Sequence, residues 1–475
     1  MKQTNYSAFG ALIIIFFFWG FVASSNDILI PVFKKALHLN QSKAQWISVA
    51  FYIAYTVGSL LYFILSSLLK KDLLKLIGYR NGLALGLVIS ALGTLLFIPA
   101  ANEASFNLLL TGLFVVGIGF ALQQIAANPL AINMGNPSSG NLRLSLAGGI
   151  NNVGTTIGPV IVSFAIFGMA GSGKSDLALS SVKIPYLVLG ATFILAALFF
   201  KLSKVPDQIE SDENSLPSNI SILSVARMPQ VVLAMIAIFV YVGVEVSTAS
   251  NLPEFMKQKL GTDESEIAPF VSLFWASLMI GRWASAAGAF GVSNELKQKL
   301  SLLLPFLAFA IFMLVNYIAG YDVTVFYPYL FIVLVLMLAD AFTGGNPVNQ
   351  LLVYSSLGAV SLLVGILGSG MVSVFAFIAV GLFCSTLWPC IFTLGIAGLN
   401  ERTNIASSLM IMMIMGGGFI SQWQGALSKY KEIGIQSSYF LGVACFAYLA
   451  FFAWRVKKML NKQGITHFDS TSSSH

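Results

Sequence analysis

Fourteen long, almost uncharged stretches follow one another along this chain, and they constrain its fold more than any other feature. They lie at about 8–33, 46–69, 81–101, 106–134, 143–169, 184–202, 229–255, 267–290, 299–320, 325–341, 350–367, 371–397, 404–427 and 437–456. A bilayer core takes about 20 mostly apolar residues per helix, so each is a candidate span; 325–341 and 350–367 are the shortest. Only 9% of the 475 residues are charged, against about 25% in a soluble domain, and the mean hydropathy is +0.83. Too few charges remain to cover a water-facing surface, so the main solvent is lipid. Cys384, Cys390 and Cys445 all fall inside apolar runs, without metal-type or redox-type spacing, and read as small buried residues. The first run could pass for a signal peptide, but it continues through Asp27 to Pro31 and is read as a span.

Charge orders the spans. With the N-terminus in the cytoplasm, sixteen of the 26 Lys and Arg residues fall in inner loops and nine in outer ones, with Arg282 near a helix end. Cytoplasmic loops carry the excess of positive charge, so both termini are expected inside. The pattern "GMAGSGKS" at 168–175 has phosphate-loop spacing, but that chemistry needs a strand before the loop and a helix after it. Here it follows a membrane span and faces outward, so it reads as a flexible connector. The polar stretch from Lys201 to Arg227 separates six runs from eight. The halves echo each other, "QIAANP" preceding "AGGINNVGTTIG" and "STLWPC" preceding "GGGFISQWQG". Two bundles with internal symmetry are how secondary transporters are built.

The segments "FFFWGFVASSNDILIP", "ALQQIAANPLA", "LRLSLAGGINNVG", "YVGVEVSTAS", "IGRWAS", "FCSTLWPCIFTLGIAGL" and "MGGGF" resemble the fucose–galactose–proton symporter family of the major facilitator superfamily, over nearly the whole chain. The resemblance implies an all-α membrane protein of two six-helix bundles with inverted repeats. That family has twelve helices, so 299–341 is expected to be an inserted pair, giving about fourteen in all. The expected domains are an N-terminal bundle at 1–202, a cytoplasmic linker at 203–228, a C-terminal bundle with the inserted pair at 229–460, and a cytoplasmic tail at 461–475.

Few residues can carry chemistry, because an Asp at the centre of a membrane helix costs about 2.5–3.5 kcal/mol. Asp27, between "FFFWGFVA" and "ILIPV", is the clearest. A carboxylate among apolar side chains can bind and release a proton near neutral pH, and the resemblance makes Asp27 the proton-coupling residue. The alternative is an Asp capped by Asn26 that shapes the break before Pro31. Gln124 and Asn128 lie four apart on one helical face, and Asn151 and Asn152 follow in the next span. Amides offer paired donors and acceptors that suit vicinal sugar hydroxyls; buried amides also join helices to one another. The fucose symporters it resembles carry a titratable Glu where Gln124 stands, whereas the glucose/galactose branch carries Gln there. Glu245, in "YVGVEVS", could contact substrate, titrate, or pair with a cation or hydroxyl. Arg282 reads as a gating or structural cation. Trp388 could stack on a sugar face or pack.

The expected function is import of a neutral hexose of the glucose or galactose kind, coupled to protons by alternating access. The candidate substrate residues are Asn26, Gln124, Asn128, Asn151, Asn152, Glu245 and Trp388. Neither a cofactor nor a metal is expected, and the coupling ion is a proton, with sodium the alternative. The remaining alternatives are an amino-sugar or fucose carrier, a sugar sensor, and a membrane-embedded enzyme. The expected partners are a small sugar and the lipid bilayer, with no nucleic acid and no ATP. The protein is expected to be a monomer in a bacterial inner membrane.

Overall fold

The computed structural model describes residues 6–69, 73–134, 140–167, 183–203, 205, 207, 222–286, 294–344, 346–399 and 402–464, and no strand occurs among them. The apolar runs become helices because lipid offers no partners to backbone polar groups, so each segment must satisfy its own. The first half contains α1 (Tyr6–Ala36), α2 (Trp46–Leu68), α3 (Tyr79–Leu95), α4 (Phe106–Asn133), α5 (Gly140–Phe167) and α6 (Lys183–Leu202). The second contains α7 (Pro229–Leu260), α8 (Ala268–Ala286), α9 (Asn294–Ile318), α10 (Tyr329–Thr343), α11 (Pro347–Leu367), α12 (Gly370–Cys384), α13 (Leu387–Ile396), α14 (Thr403–Met412), α15 (Gly416–Leu427) and α16 (Phe440–Lys462). Caps mark several starts: Ser105 accepts from the Leu108 amide before α4. Asn346 accepts from the Val348 and Asn349 amides before α11, whose first residue is Pro347, where a missing N–H costs nothing.

Thirteen of the described helical stretches are long and apolar enough to cross a bilayer. The expected span at 404–427 is instead two helices, α14 and α15, joined by a 3-10 turn at Met413–Met415. Gly416, Gly417 and Gly418 follow that turn, and an added Cβ at Gly416 would run into the Phe239 carbonyl of α7. The close approach of α15 to α7 therefore depends on the glycine, a residue that costs about 1 kcal/mol relative to alanine in a helix interior.

The chain forms two compact units. The first holds Met1–Ser211 with Gly261–Ser272 and Val315–Tyr321. Within it α1 packs along α5, and α4 packs against both α2 and α3. Backbones meet closely at the α1–α5 seam: an added Cβ at Gly154 would strike the Phe17 carbonyl, and one at Gly158 would lie 2.7 Å from the Phe21 carbonyl. Small residues permit such contact where no hydrophobic force drives helices together. Gly154→Val should therefore overpack this seam, at about 1–3 kcal/mol, and a lower thermal midpoint of the purified protein would show it. An unchanged midpoint would mean the seam can open freely. The two second-half segments join this unit through hydroxyls: Ser272 donates to the Thr156 carbonyl at 2.6 Å, and Tyr321 pairs with Ser163 at 3.1 Å.

The second unit holds Asp212–Leu260, Leu273–Leu314 and Asp322–His475. Here α7 packs against α13, α15 and α16, while α11 packs against α12, α13 and α16. Helix α10 packs against α11 and α12. On α10, Tyr329, Val333, Leu336, Ala339 and Thr343 are buried, spaced at three to four residues along one helix face. The other face is open, with Phe331, Leu338 and Phe342 more than 70% exposed, as suits contact with lipid.

Candidate functional site

Each unit carries its own constellation of polar side chains. In the first, adjacent glutamines of α4 have opposite surroundings. Gln123 is buried; its Oε1 accepts from Trp19 Nε1 of α1 at 3.1 Å, and its Nε2 donates to the Ser90 hydroxyl of α3 at 3.1 Å. It binds three helices together. Gln124 points elsewhere, as neighbours 100° apart on a helix must. It is partly exposed and hydrogen-bonded to Tyr55 of α2. On α5, Asn151 donates through Nδ2 to the Phe16 carbonyl of α1 at 2.8 Å. One end of that amide thus ties helices together. Asn152 is buried, and its backbone carbonyl accepts the Thr155 and Thr156 hydroxyls at 2.9 and 2.8 Å. Asn26 and Asp27 lie in α1 and Asn128 in α4, but their side chains are outside the described residues, as are residues 168–182 of the Gly-rich connector. That connector is preceded by helix α5 and followed by helix α6.

In the second unit, Tyr241 and Glu245 are one turn apart on α7, and the Tyr241 hydroxyl donates to the Glu245 carboxylate. The Arg282 guanidinium of α8 acts on both electrostatically. Its Nε donates to the Ser385 carbonyl at 3.2 Å, and proline explains why that carbonyl is available. In a continuous helix the carbonyl of residue 385 would accept from the N–H of residue 389, but residue 389 is proline and has none. The chain breaks there between α12 and α13, and the arginine of a neighbouring helix fills the vacancy. Trp388 follows in the first turn of α13. Its ring centroid lies 6.1 Å from that of Tyr241 and 6.2 Å from that of Phe392, stacked at 19° on the latter. Trp388 and Glu245 are both half-buried.

Of the residues singled out from sequence, the structure gathers Glu245, Arg282 and Trp388 into one cluster, with Glu245 set against both a hydroxyl and a cation. Gln124 and Asn151 occur on helices of the other unit. Sequence reasoning missed Gln123, Tyr55 and Tyr241. A period-four pairing of Tyr241 with Glu245 was the available signal for the last of these; nothing in the sequence showed that Gln123 would bind Trp19 and Ser90.

Two units of membrane-length helices, each with a few grouped polar side chains, match the way membrane transporters are built. The Major Facilitator Superfamily profile matches residues 12–359. Over 95% of this chain and 94% of the relative, 31% of residues are identical to a glucose/galactose transporter of Brucella abortus. The L-fucose-proton symporter of Escherichia coli is 28% identical over 94% of this chain and 92% of its own. A crystal structure of the E. coli fucose:proton symporter superposes with a TM-score of 0.61 at 26% identity, covering 94% of this chain and 98% of that one. The chain therefore belongs to the major facilitator superfamily and, within it, to the fucose–galactose–proton symporter family. It is a multi-pass membrane transporter, not an enzyme.

Proposed function

We propose that this protein imports a neutral hexose of the glucose or galactose kind together with protons, by alternating access. The observation that carries the reading is Gln124, a neutral amide held by Tyr55 and partly exposed, next to a glutamine already committed to helix packing. An amide of this kind matches a hydroxyl-rich, uncharged ligand. Trp388 offers an aromatic face for the apolar side of a sugar ring. The names of the relatives, glucose/galactose transporter and L-fucose-proton symporter, support sugar as substrate and the proton as coupling ion. Asp27 is the proposed proton site. Protonation removes the cost of its charge in lipid and shifts the population toward the states that reorient.

The same reading puts the protein in a bacterial cytoplasmic membrane with both termini inside, working as a monomer without ATP. Uptake of a panel of labelled sugars by proteoliposomes tests it, with a pH gradient and a sodium gradient imposed separately and no nucleotide present. Glucose or galactose accumulation driven by the pH gradient is the expected result; accumulation driven by sodium alone would replace the proton. Since Lys174 belongs to a connector, Lys174→Ala should leave uptake within about twofold, as surface substitutions away from structural features do. A loss above tenfold in correctly inserted protein would restore a functional role to the Gly-rich stretch.

A further inference from the structure

The inserted α9–α10 pair carries a membrane carboxylate that the sequence reading did not single out. Asp340 lies three residues from the end of α10. Intramembrane carboxylates are rare and are kept where they have partners and a task. Its Oδ1 accepts from two residues of α11, Gln350 Nε2 at 3.2 Å and the Tyr354 hydroxyl at 3.2 Å. Gln350 Oε1 accepts in turn from the Cys390 thiol of α13 at 3.4 Å. Cys390 is buried and follows Pro389, two residues after Trp388, in the first turn of the helix whose break holds Arg282. At the other end of α10 the Tyr329 hydroxyl lies 2.6 Å from that of Ser277, on the helix that carries Arg282. The hairpin thus touches both elements that bring partners to Glu245 and Tyr241.

We infer that Asp340 is a positioning residue for the sugar site: by holding Gln350 it holds Cys390, and with it the turn of α13 that sets the Trp388 ring against Tyr241. The α9–α10 pair is then a brace on the Trp388–Tyr241 cluster. This inference rests on the reading of Trp388 as part of the sugar site. A carboxylate suits the task because one oxygen accepts two donors from one helix, leaving the Gln350 carbonyl oriented toward the thiol. Simple helix adhesion would lower stability when removed, but would not selectively change substrate affinity.

The test uses the full chain in proteoliposomes, with labelled galactose as the probe, in a Cys384→Ala/Cys445→Ala background that leaves Cys390 as the reporting thiol. Asp340→Ala should raise the galactose KM about tenfold, the scale of one lost buried hydrogen bond, with Vmax within about twofold. Alkylation of Cys390 by N-ethylmaleimide should quicken by a similar factor. Gln350→Leu should do both, and covers the case in which Asp340→Ala fails to fold. Asp340→Asn keeps an Oδ1 acceptor and should stay near the parent on both measures. An unchanged KM in Asp340→Ala while Trp388→Ala raises it, or an Asn variant as impaired as the Ala variant, overturns the positioning role. The alkylation arm needs no sugar. If the parent does not move galactose, or Trp388→Ala leaves KM unchanged, the sugar-site reading fails, and faster alkylation in Asp340→Ala still supports Asp340 as the residue that positions α13. Unchanged alkylation in both Asp340→Ala and Gln350→Leu overturns it in every case.

Discussion

Asp27→Asn should bind and exchange sugar yet lose all accumulation against a gradient. The substitution keeps the size of the side chain, mimics its protonated form and removes the exchangeable proton. Asp27 sits late in α1, between Ser25 and Ile28, both buried, in a helix packed closely against α5. A permanently neutral side chain there lets the carrier reorient without a proton, so the coupling of sugar to the pH gradient is lost while counterflow remains. The two measurements are sugar-induced alkalinisation outside cells and exchange of labelled for unlabelled sugar in proteoliposomes, on the same variant. If Asp27→Asn still concentrates sugar under a pH gradient, the coupling site lies elsewhere. Glu245, set between Tyr241 and Arg282, is the next membrane carboxylate to test. A response of the variant to sodium would remove the proton assignment itself.

The second large effect is expected at Gln124. If its amide holds sugar hydroxyls in a site closed to water, Gln124→Ala leaves those hydroxyls unpaired at about 1–3 kcal/mol, a loss of roughly ten- to hundredfold in affinity. Gln124→Glu should keep binding at low pH, where a protonated carboxyl still offers a donor and an acceptor, and lose it progressively as the carboxylate forms. The neighbouring position supplies the contrast. Gln123→Ala breaks bonds to Trp19 and Ser90, so it should lower stability more than affinity. Isothermal binding measurements on detergent-purified variants, read beside their thermal midpoints, separate the two. Unchanged sugar affinity in Gln124→Ala would place Gln124 with its neighbour among residues that only join helices.

Much of this molecule is written in local composition. Whether a stretch spans a bilayer depends on the transfer of its own side chains, a property each residue carries wherever it lies. Hydropathy therefore located the membrane-length helices without any knowledge of contacts. The membrane carboxylates Asp27 and Glu245 stood out for the same reason, since a charge among apolar residues is costly in any packing. Hydropathy failed where the outcome depends on a partner. The run at 404–427 carries no charge, and the approach of Gly416 to the Phe239 carbonyl accompanies its division into α14 and α15.

Partner identity likewise divided the two glutamines of α4. Their side chains are the same, and a rotation of about 100° along the helix puts one among Trp19 and Ser90 and the other beside Tyr55. Pro389 could be read in the sequence as a missing N–H, but not that Arg282, more than a hundred residues earlier, would take the Ser385 carbonyl it releases. Asp340 passed unnoticed at the end of one of the shortest runs, because its significance lies in Gln350 and Tyr354 on the next helix. Which segments can enter the lipid, and which charges are exceptional there, follows from each residue's own solvation and is legible without any contact. Which of the polar residues join helices and which stay partly exposed depends on the packing, because a hydrogen bond is a property of two groups and the fold alone sets them side by side.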